Sequence, residues 1–373
     1  MNIKKFEAIA ILVGSTVGAG IFALPYAFEK LGFLHGLIFL FFLTLAVCSV
    51  ELCYAEMILR TNGIKEMAGY VDLYVGKLGR YLISFSLIVG ITSAMTAYLI
   101  GVSTYLQSIF GGEQYVWGIV FWAIGALVCY LGMNVVGRLE LIMSAGLIIL
   151  VGYLSYLSFP YIEPAHITGF ASKELLAPFG IILFAIGGAS AIPTMRKILG
   201  GDSAFLKKAI ILGISIPALI YAIFAFIVLG VCGDEVSSEA IIGLSKILGN
   251  KILLVGGFFG ILAMSTSFFA TSYVLREHFR NDYRLPKFFA WLITLSLSLC
   301  LFLSQSQFTE IIGFAGAVIT GFQGIILITA YYHARKKGER KPEFTFNLKK
   351  YIAGLIYAVF IIGIIFQLRS MRC

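Results

Sequence analysis

Gly14-Ser15-Thr16-Val17-Gly18-Ala19-Gly20-Ile21-Phe22-Ala23-Leu24-Pro25-Tyr26 lies inside an apolar run from Phe6 to Phe28. The run is long enough to cross a bilayer, yet it holds three glycines, a Ser-Thr pair and a proline. Glycine and proline weaken a helix, and a broken backbone in hydrocarbon leaves N–H and C=O groups unpaired at a cost of several kcal/mol each. Such a break survives only where protein, water or a ligand satisfies the freed groups. A plain anchor has no use for it. A site near the membrane midplane does.

The rest of the chain is equally apolar. Its 373 residues are 60% hydrophobic and 13% charged, with a mean hydropathy of +0.95. Soluble domains carry about a quarter charged residues, so this composition means a polytopic membrane protein. Eleven apolar spans are readable, at 6–28, 33–57, 81–110, 115–133, 139–159, 175–195, 208–231, 251–275, 288–304, 309–332 and 351–368. No sizeable soluble domain fits between them. The start, Met-Asn-Ile-Lys-Lys before an apolar run, has the look of a secretory signal. Its run is too long and its Pro25-Tyr26-Ala27-Phe28 end cleaves poorly, so it reads as the first helix. The six cysteines show no CxxC pairing and mostly fall within spans, as small core residues do.

The net charge of +9 reports topology rather than a nucleic-acid partner. With the amino terminus inside, 22 of the 28 basic residues fall in cytoplasmic segments, among them Lys4, Lys5, Arg60, Lys65, Arg196, Lys197, Lys207, Lys208 and the Arg335–Lys341 cluster. Six remain for the other side: Lys30, Lys173, Lys246, Lys251, Arg369 and Arg372. That is the positive-inside bias, which sets a cytoplasmic amino terminus, and eleven spans then place the carboxyl terminus outside. The expected location is a plasma (cell inner) membrane. The basic face meets anionic lipid headgroups.

The spans divide as five, five and one: a first unit at about 6–159, a second at about 175–332, and an extra helix at about 351–368, all in one transmembrane domain. The sixth span has its own interruption, Ala185-Ile186-Gly187-Gly188-Ala189-Ser190, followed by Pro193. The two breaks occupy corresponding positions in the two units. An odd number of helices per unit inverts the second relative to the first, and paired interrupted helices are the best sequence pointer to a binding site. Residues 63–80 read as a short interfacial helix on the cytoplasmic side. Residues 237–249 place Ile241, Leu244 and Leu248 on one helical face, either as a lid over an outer vestibule or as a surface helix closing a loop.

Val17-Gly18-Ala19-Gly20-Ile21-Phe22-Ala23-Leu24-Pro25-Tyr26-Ala27 resembles the first helix of amino-acid permeases in the amino acid–polyamine–organocation superfamily, nearest its amino-acid/auxin and hydroxy- and aromatic-amino-acid branches. Tyr54-Ala55-Glu56, the Tyr130 to Glu140 stretch and Thr266-Ser267-Phe268 are similar too, over about residues 6–332. The resemblance implies an all-α, leucine-transporter-like fold of two inverted five-helix repeats plus an eleventh helix. It implies a symporter working by alternating access, with no cofactor beyond a bound sodium ion.

A break near Gly18–Gly20 exposes amides at the positive end of a half-helix, which suits a carboxylate. The break in the sixth span exposes carbonyls, which suit an ammonium group. Donors for an anion beside acceptors for a cation match the zwitterionic head of an amino acid. By resemblance, the amides of Ala19 and Gly20 hold the carboxylate and carbonyls near Phe184 and Ala185 the amino group. Thr16, Gly18, Gly187 and Gly188 line the same site, and Tyr98 adds a hydroxyl. The bland alternative is that the glycines only let helices pack closely.

The eighth span is rich in hydroxyls, which commonly bond back to their own backbone. By resemblance, a sodium site uses the carbonyls of Gly14, Val17 and Ala263 with the hydroxyls of Thr266 and Ser267. Some proton-coupled relatives replace that ion with a lysine in the fifth helix. The segment 141–159 has none, which tilts the balance to sodium. Glu51 is the one ionisable residue deep within a span, where a carboxylate costs about 2.5–3.5 kcal/mol. It reads either as a proton carrier or as a packing carboxyl bonded to a neighbouring hydroxyl.

Other functions fit less well. No HExxH is present, and Gly188-Ala189-Ser190-Ala191 has no histidine at its depth to act as base, which argues against an intramembrane enzyme. Divalent-metal transport on the same fold needs soft or anionic ligands, and the breaks lack Asp, Cys, Met and His at their centres; polyamine uptake needs acidic residues in the site, and the breaks have none. The small residues at Gly187–Ala191 leave room for a large side chain, so the expected substrate is a neutral amino acid, aromatic or branched. The sequence carries no sign of oligomeric state.

Overall fold

The computed structural model describes residues 3–131, 146, 149–168, 178–304 and 307–370. Cys373, the Asn134–Glu140 part of the family motif and the first half of the expected fifth span lie outside the described residues.

Among the described residues the secondary structure is helical throughout. The helices are α1 (Ile3–Thr16), α2 (Gly20–Leu31), α3 (Phe33–Leu59), α4 (Met67–Val75), α5 (Lys77–Phe110), α6 (Gln114–Leu131), α7 (149–158), α8 (Pro164–Thr168), α9 (Phe179–Ala185), α10 (Ile192–Leu199), α11 (Leu206–Cys232), α12 (Ile241–Leu248), α13 (Asn250–Asp282), α14 (Lys287–Leu303), α15 (Phe308–Phe314), α16 (Gly321–Lys337) and α17 (Lys350–Ser370). Among the described residues, seven helical stretches are long and apolar enough to cross a membrane, and the bent pair α1–α2 makes an eighth. One of the seven, Phe179–Glu235, runs for 57 residues through α9, α10 and α11, more than one crossing uses. α14 is a shorter apolar helix.

The expected interruptions are where the helices break. α1 and α2 meet at 57° across Val17–Ala19. α9 ends at Ala185, and a single turn of 3-10 helix over Ala189–Ala191 leads into α10. The two broken pairs pack crosswise: α1 lies on α10 and α2 on α9. First half on second half is the pairing of two broken helices that run in opposite directions.

Around them, α5 and α13 form the longest packed pair, 34 and 33 residues, or about 50 Å each at 1.5 Å per residue. α9 is wedged against a π-helical segment at Ala315–Thr320 between α15 and α16. Only glycine allows this approach: a Cβ on Gly180 would lie 2.0 Å from the Gly313 carbonyl oxygen, and one on Gly316 would lie 1.8 Å from that of Gly180. The segment expected to form an interfacial helix holds α4. In α12, Ile241 and Leu244 are fully buried, and Tyr105 donates to the Glu239 carbonyl just before it at 2.8 Å. Residue 240, an alanine, adopts a φ of 42° there, which L residues seldom take.

Candidate substrate and ion site

The two breaks meet at the base of a cavity of about 1580 Å³. Its walls run from Thr16, Gly18, Tyr98, Gly187 and Gly188 down to Ile3, Phe6 and Glu7 at the start of α1 and to His278, Asn281 and Asp282 at the end of α13. Past the breaks in the other direction, Phe22 stacks edge-on against Tyr105 and Phe224, with centroids 5.9 and 6.5 Å apart. All three rings are buried. The cavity therefore opens at the end of the bundle where α1 starts and is plugged by aromatic packing at the other.

The first break is built from backbone. Val17 N–H bonds to Val13 C=O at 2.8 Å, and on the far side Ile21 and Phe22 bond back to Gly18 and Ala19 at 3.4 and 3.1 Å. The amides of Gly18, Ala19 and Gly20 take no part in these bonds, as expected of the opening turn of a helix. Thr16 C=O, the last of α1, accepts the hydroxyl of Tyr221 at 2.8 Å, and Ala185 C=O, the last of α9, lies 2.9 Å from the same oxygen. A phenol has one proton, so Tyr221 serves either carbonyl but not both at once. A tyrosine of α11 thus ties the two breaks together.

The second break is held by Glu51, which is 1% exposed. Its Oε1 accepts the Gly188 N–H at 2.9 Å. Its Oε2 and the hydroxyl of Thr16 are buried and without a hydrogen-bond partner among the described residues. The two groups face the same spot: a Cβ on Gly188 would lie 2.7 Å from Thr16 Oγ1 and 3.4 Å from Glu51 Oε1.

The remaining expected residues are spread around this centre. Tyr98 Oη and Ser267 Oγ lie 3.3 and 3.8 Å from where a Cβ on Gly18 would stand. Phe184 is half-buried on the cavity wall, and its carbonyl accepts the Gly187 N–H at 3.3 Å. Ala19 is fully buried. Gly20 reaches the cavity wall but is packed tightly on protein: a Cβ there would lie 2.6 Å from Cα of Ala185. Gly187 is more open, with 3.5 Å or more to its nearest neighbours. Thr266 donates to Ala263 C=O at 3.0 Å. Gly14 and Val17 belong to the α1 side, which packs on α10 and α11, while Ala263 and Thr266 are on α13. Ser267 is where those two sides meet.

Sequence reasoning missed Tyr221, whose signal was a single phenol in an otherwise apolar span. It also missed Arg196 of α10. This arginine is 8% exposed and donates to the carbonyls of Ile58, Gly63 and Thr61 at 2.7, 3.1 and 3.3 Å, anchoring α10 to the end of α3. Its signal was a basic residue on a helix with one strongly apolar face.

The sequence as a whole decides the family. The profile of the tryptophan/tyrosine permease family matches residues 1–368. The chain belongs to that family. It is a membrane permease of the amino-acid kind and not an enzyme. Among its relatives, the tyrosine-specific transport system 1 of Haemophilus influenzae is 22% identical, with 98% of each chain covered. The tyrosine-specific transport system 2 of the same organism is 24% identical over 62% of this chain and 59% of its own length. Glutamine transporter 2 of Aliivibrio fischeri is 21% identical, covering 90% of this chain and 91% of that protein.

Proposed function

We propose that this permease is a symporter of a neutral amino acid with a large, aromatic side chain, driven by a proton taken up at Glu51. The carrying observation is the meeting of two helix breaks at the blind end of one cavity, with Glu51 bonded into one of them. Freed amides at Gly18, Ala19 and Gly20 suit a carboxylate, and carbonyls of the second break suit an ammonium group. The names of the tyrosine transport systems, and of the family, support an aromatic substrate. The crosswise packing of α1–α2 on α9–α10 supports two inverted repeats and the leucine-transporter-like architecture. Alternating access then consists of opening the aromatic plug at Phe22 while closing the cavity mouth. The cavity mouth carries the end that the basic-residue distribution assigns to the cytoplasm.

Glu51 suits a proton because it joins a titratable carboxyl to the moving backbone. Protonation changes what Gly188 and Thr16 meet, and so links charge to the shape of the break. A second reading keeps sodium as the coupling ion. It rests on the Thr266 hydroxyl and Ala263 carbonyl with Ser267 beside Gly18, which are neutral oxygen ligands for a monovalent cation held weakly enough to leave.

Uptake of labelled tyrosine, phenylalanine, leucine and glutamine into proteoliposomes, with sodium and pH gradients imposed separately, tests the proposal. Accumulation under an inward proton gradient without sodium is expected. Accumulation that follows sodium and ignores pH would move the coupling to the α13 hydroxyls. No uptake of any neutral amino acid would end the reading.

A further inference from the structure

Gln323 of α16 has no role in the site as built so far, and its position gives it one. The wall of the cavity opposite the second break is the π-helical segment: a Cβ on Gly187 would lie 3.6 Å from Cγ2 of Thr320. At the edge of the cavity, Gly90 of α5 packs directly on the same segment. A Cβ on Gly90 would lie 2.6 Å from Cγ2 of Ile319 and 4.0 Å from Nε2 of Gln323. Gln323 therefore stands three residues beyond Thr320, about 4.5 Å along the helix, in the cleft between α5 and α16 that leads away from the break.

The cleft is apolar. Leu87, Ile91 and Ala94 line it from α5, and Ile319 and Leu327 from the other wall. The Thr320 hydroxyl is turned back to the Ala315 carbonyl at 3.4 Å. The carboxamide of Gln323 is half-buried and, among the described residues, makes no hydrogen bond to protein. A leucine or methionine would line this wall as well and would lose nothing. A carboxamide in such a place is suited to a ligand, since it offers both donors and an acceptor. The π-helical turn just before it is a common device for re-aiming a side chain at a functional site.

We propose that Gln323 reads the tip of the substrate side chain and is a specificity-determining residue. This rests on the reading that the breaks hold the amino-acid head. With the head there, a long side chain projects past Gly187 and Thr320 into the cleft, and its end meets the carboxamide. Within the large aromatic side chains proposed above, the favoured ones then end in an uncharged hydrogen-bonding group, such as a phenol or an indole N–H. An apolar tip of the same size buries the carboxamide without a partner and is rejected for that reason. Branched aliphatic amino acids fall outside the class.

The test measures uptake of labelled tyrosine, phenylalanine, leucine and glutamine, each in turn, by the full-length transporter in proteoliposomes. Wild type is compared with Gln323→Leu and Gln323→Met. Wild type is expected to prefer tyrosine over phenylalanine by about 10- to 100-fold. Both variants should bring that ratio to within about twofold by losing the polar-tipped substrate while keeping or gaining the apolar one. Should Gln323→Leu fail to insert, Gln323→Met carries the same comparison. Wild-type uptake with a ratio unchanged in the variants would overturn the role of Gln323 alone. No uptake of any neutral amino acid by wild type would overturn the site reading beneath it.

Discussion

Glu51 Oε1 accepts the backbone N–H of Gly188 at 2.9 Å, so a carboxyl on α3 is part of the break between α9 and α10. The two residues are 137 positions apart in the chain. The glycine matters as much as the acid, because any side chain at 188 would meet Leu12 and Thr16 at 2.6–2.7 Å. Leu12 and Thr16 are on α1. A change at Glu51 is thereby felt by both broken helices, and this gives a buried carboxyl leverage over the shape of the site.

Replacing Glu51 with glutamine keeps an oxygen that can accept from Gly188 but removes the titrating group. Glu51→Gln is expected to retain exchange of labelled for unlabelled substrate and to lose accumulation driven by a pH gradient. Glu51→Ala, which leaves the Gly188 N–H unpaired, should lower thermal stability in detergent by about 1–3 kcal/mol as well. Proton-driven accumulation in Glu51→Gln at wild-type level would remove Glu51 from coupling.

Tyr221 makes its case with one atom. Its hydroxyl is the donor within reach of the carbonyls that end α1 and α9, and the ring is fully buried. Tyr221→Phe keeps the packing and deletes that donor, a loss of about 1–3 kcal/mol where a buried carbonyl is left unmet. Uptake should fall by about tenfold or more while membrane levels stay near normal. Unchanged kinetics would mean that the phenol only fills space.

The glycines separate by what surrounds them. At Gly20 even a methyl group would press on Cα and Cβ of Ala185, at 2.6 and 2.7 Å, so α2 and α9 must part. At Gly187 the nearest atoms are 3.5 Å or more away. Gly20→Ala should therefore lose both stability and uptake. Gly187→Ala should fold normally and alter the KM for substrate, because the new methyl group faces the cavity. Normal uptake by Gly20→Ala would contradict the close approach of the two helices.

How much of this was legible beforehand follows from which forces are local. Both interruptions were readable because glycine and proline inside apolar spans have few purposes in hydrocarbon, and the chain bends at Val17–Ala19 and leaves the helix past Ala185. Glu51 stood out by its charge, but its partner did not, since a backbone N–H far along the chain leaves no mark in the sequence. The bland alternative for Glu51 was a neighbouring hydroxyl, and it is an amide that fills the place. Gly20 and Gly187 look alike as letters, because a glycine that admits a helix and one that admits a ligand are chosen for the same missing Cβ. Tyr221 and Gln323 leave little mark in the sequence because each is a polar residue flanked by apolar ones in its helix, and only packing shows which way it points.

The sodium reading makes a different prediction at α13. Thr266→Ala removes a hydroxyl that bonds to Ala263 C=O, one turn from Ser267. If sodium binds there, the sodium concentration for half-maximal uptake should rise about tenfold or more, with little change for Ser190→Ala. If the proton at Glu51 drives uptake, Thr266→Ala should leave the pH response intact and sodium should be without effect in either protein.

The orientation of the one-ended cavity can be read directly. Basic residues concentrate on the side where α1 begins, and that is the side where the cavity opens, at Glu7 and Asn281. A variant without native cysteines but carrying Asn281→Cys should react with an impermeant thiol reagent only in inside-out vesicles, and substrate should slow that reaction. A companion variant that keeps Cys373 alone should be labelled in intact cells if the eleven spans expected from the sequence put that end outside. Both reactions depend on the same assignment of the amino terminus to the cytoplasm. Labelling of Asn281→Cys in intact cells together with protection of Cys373 would invert the topology, and the cavity would then be an outward-facing one.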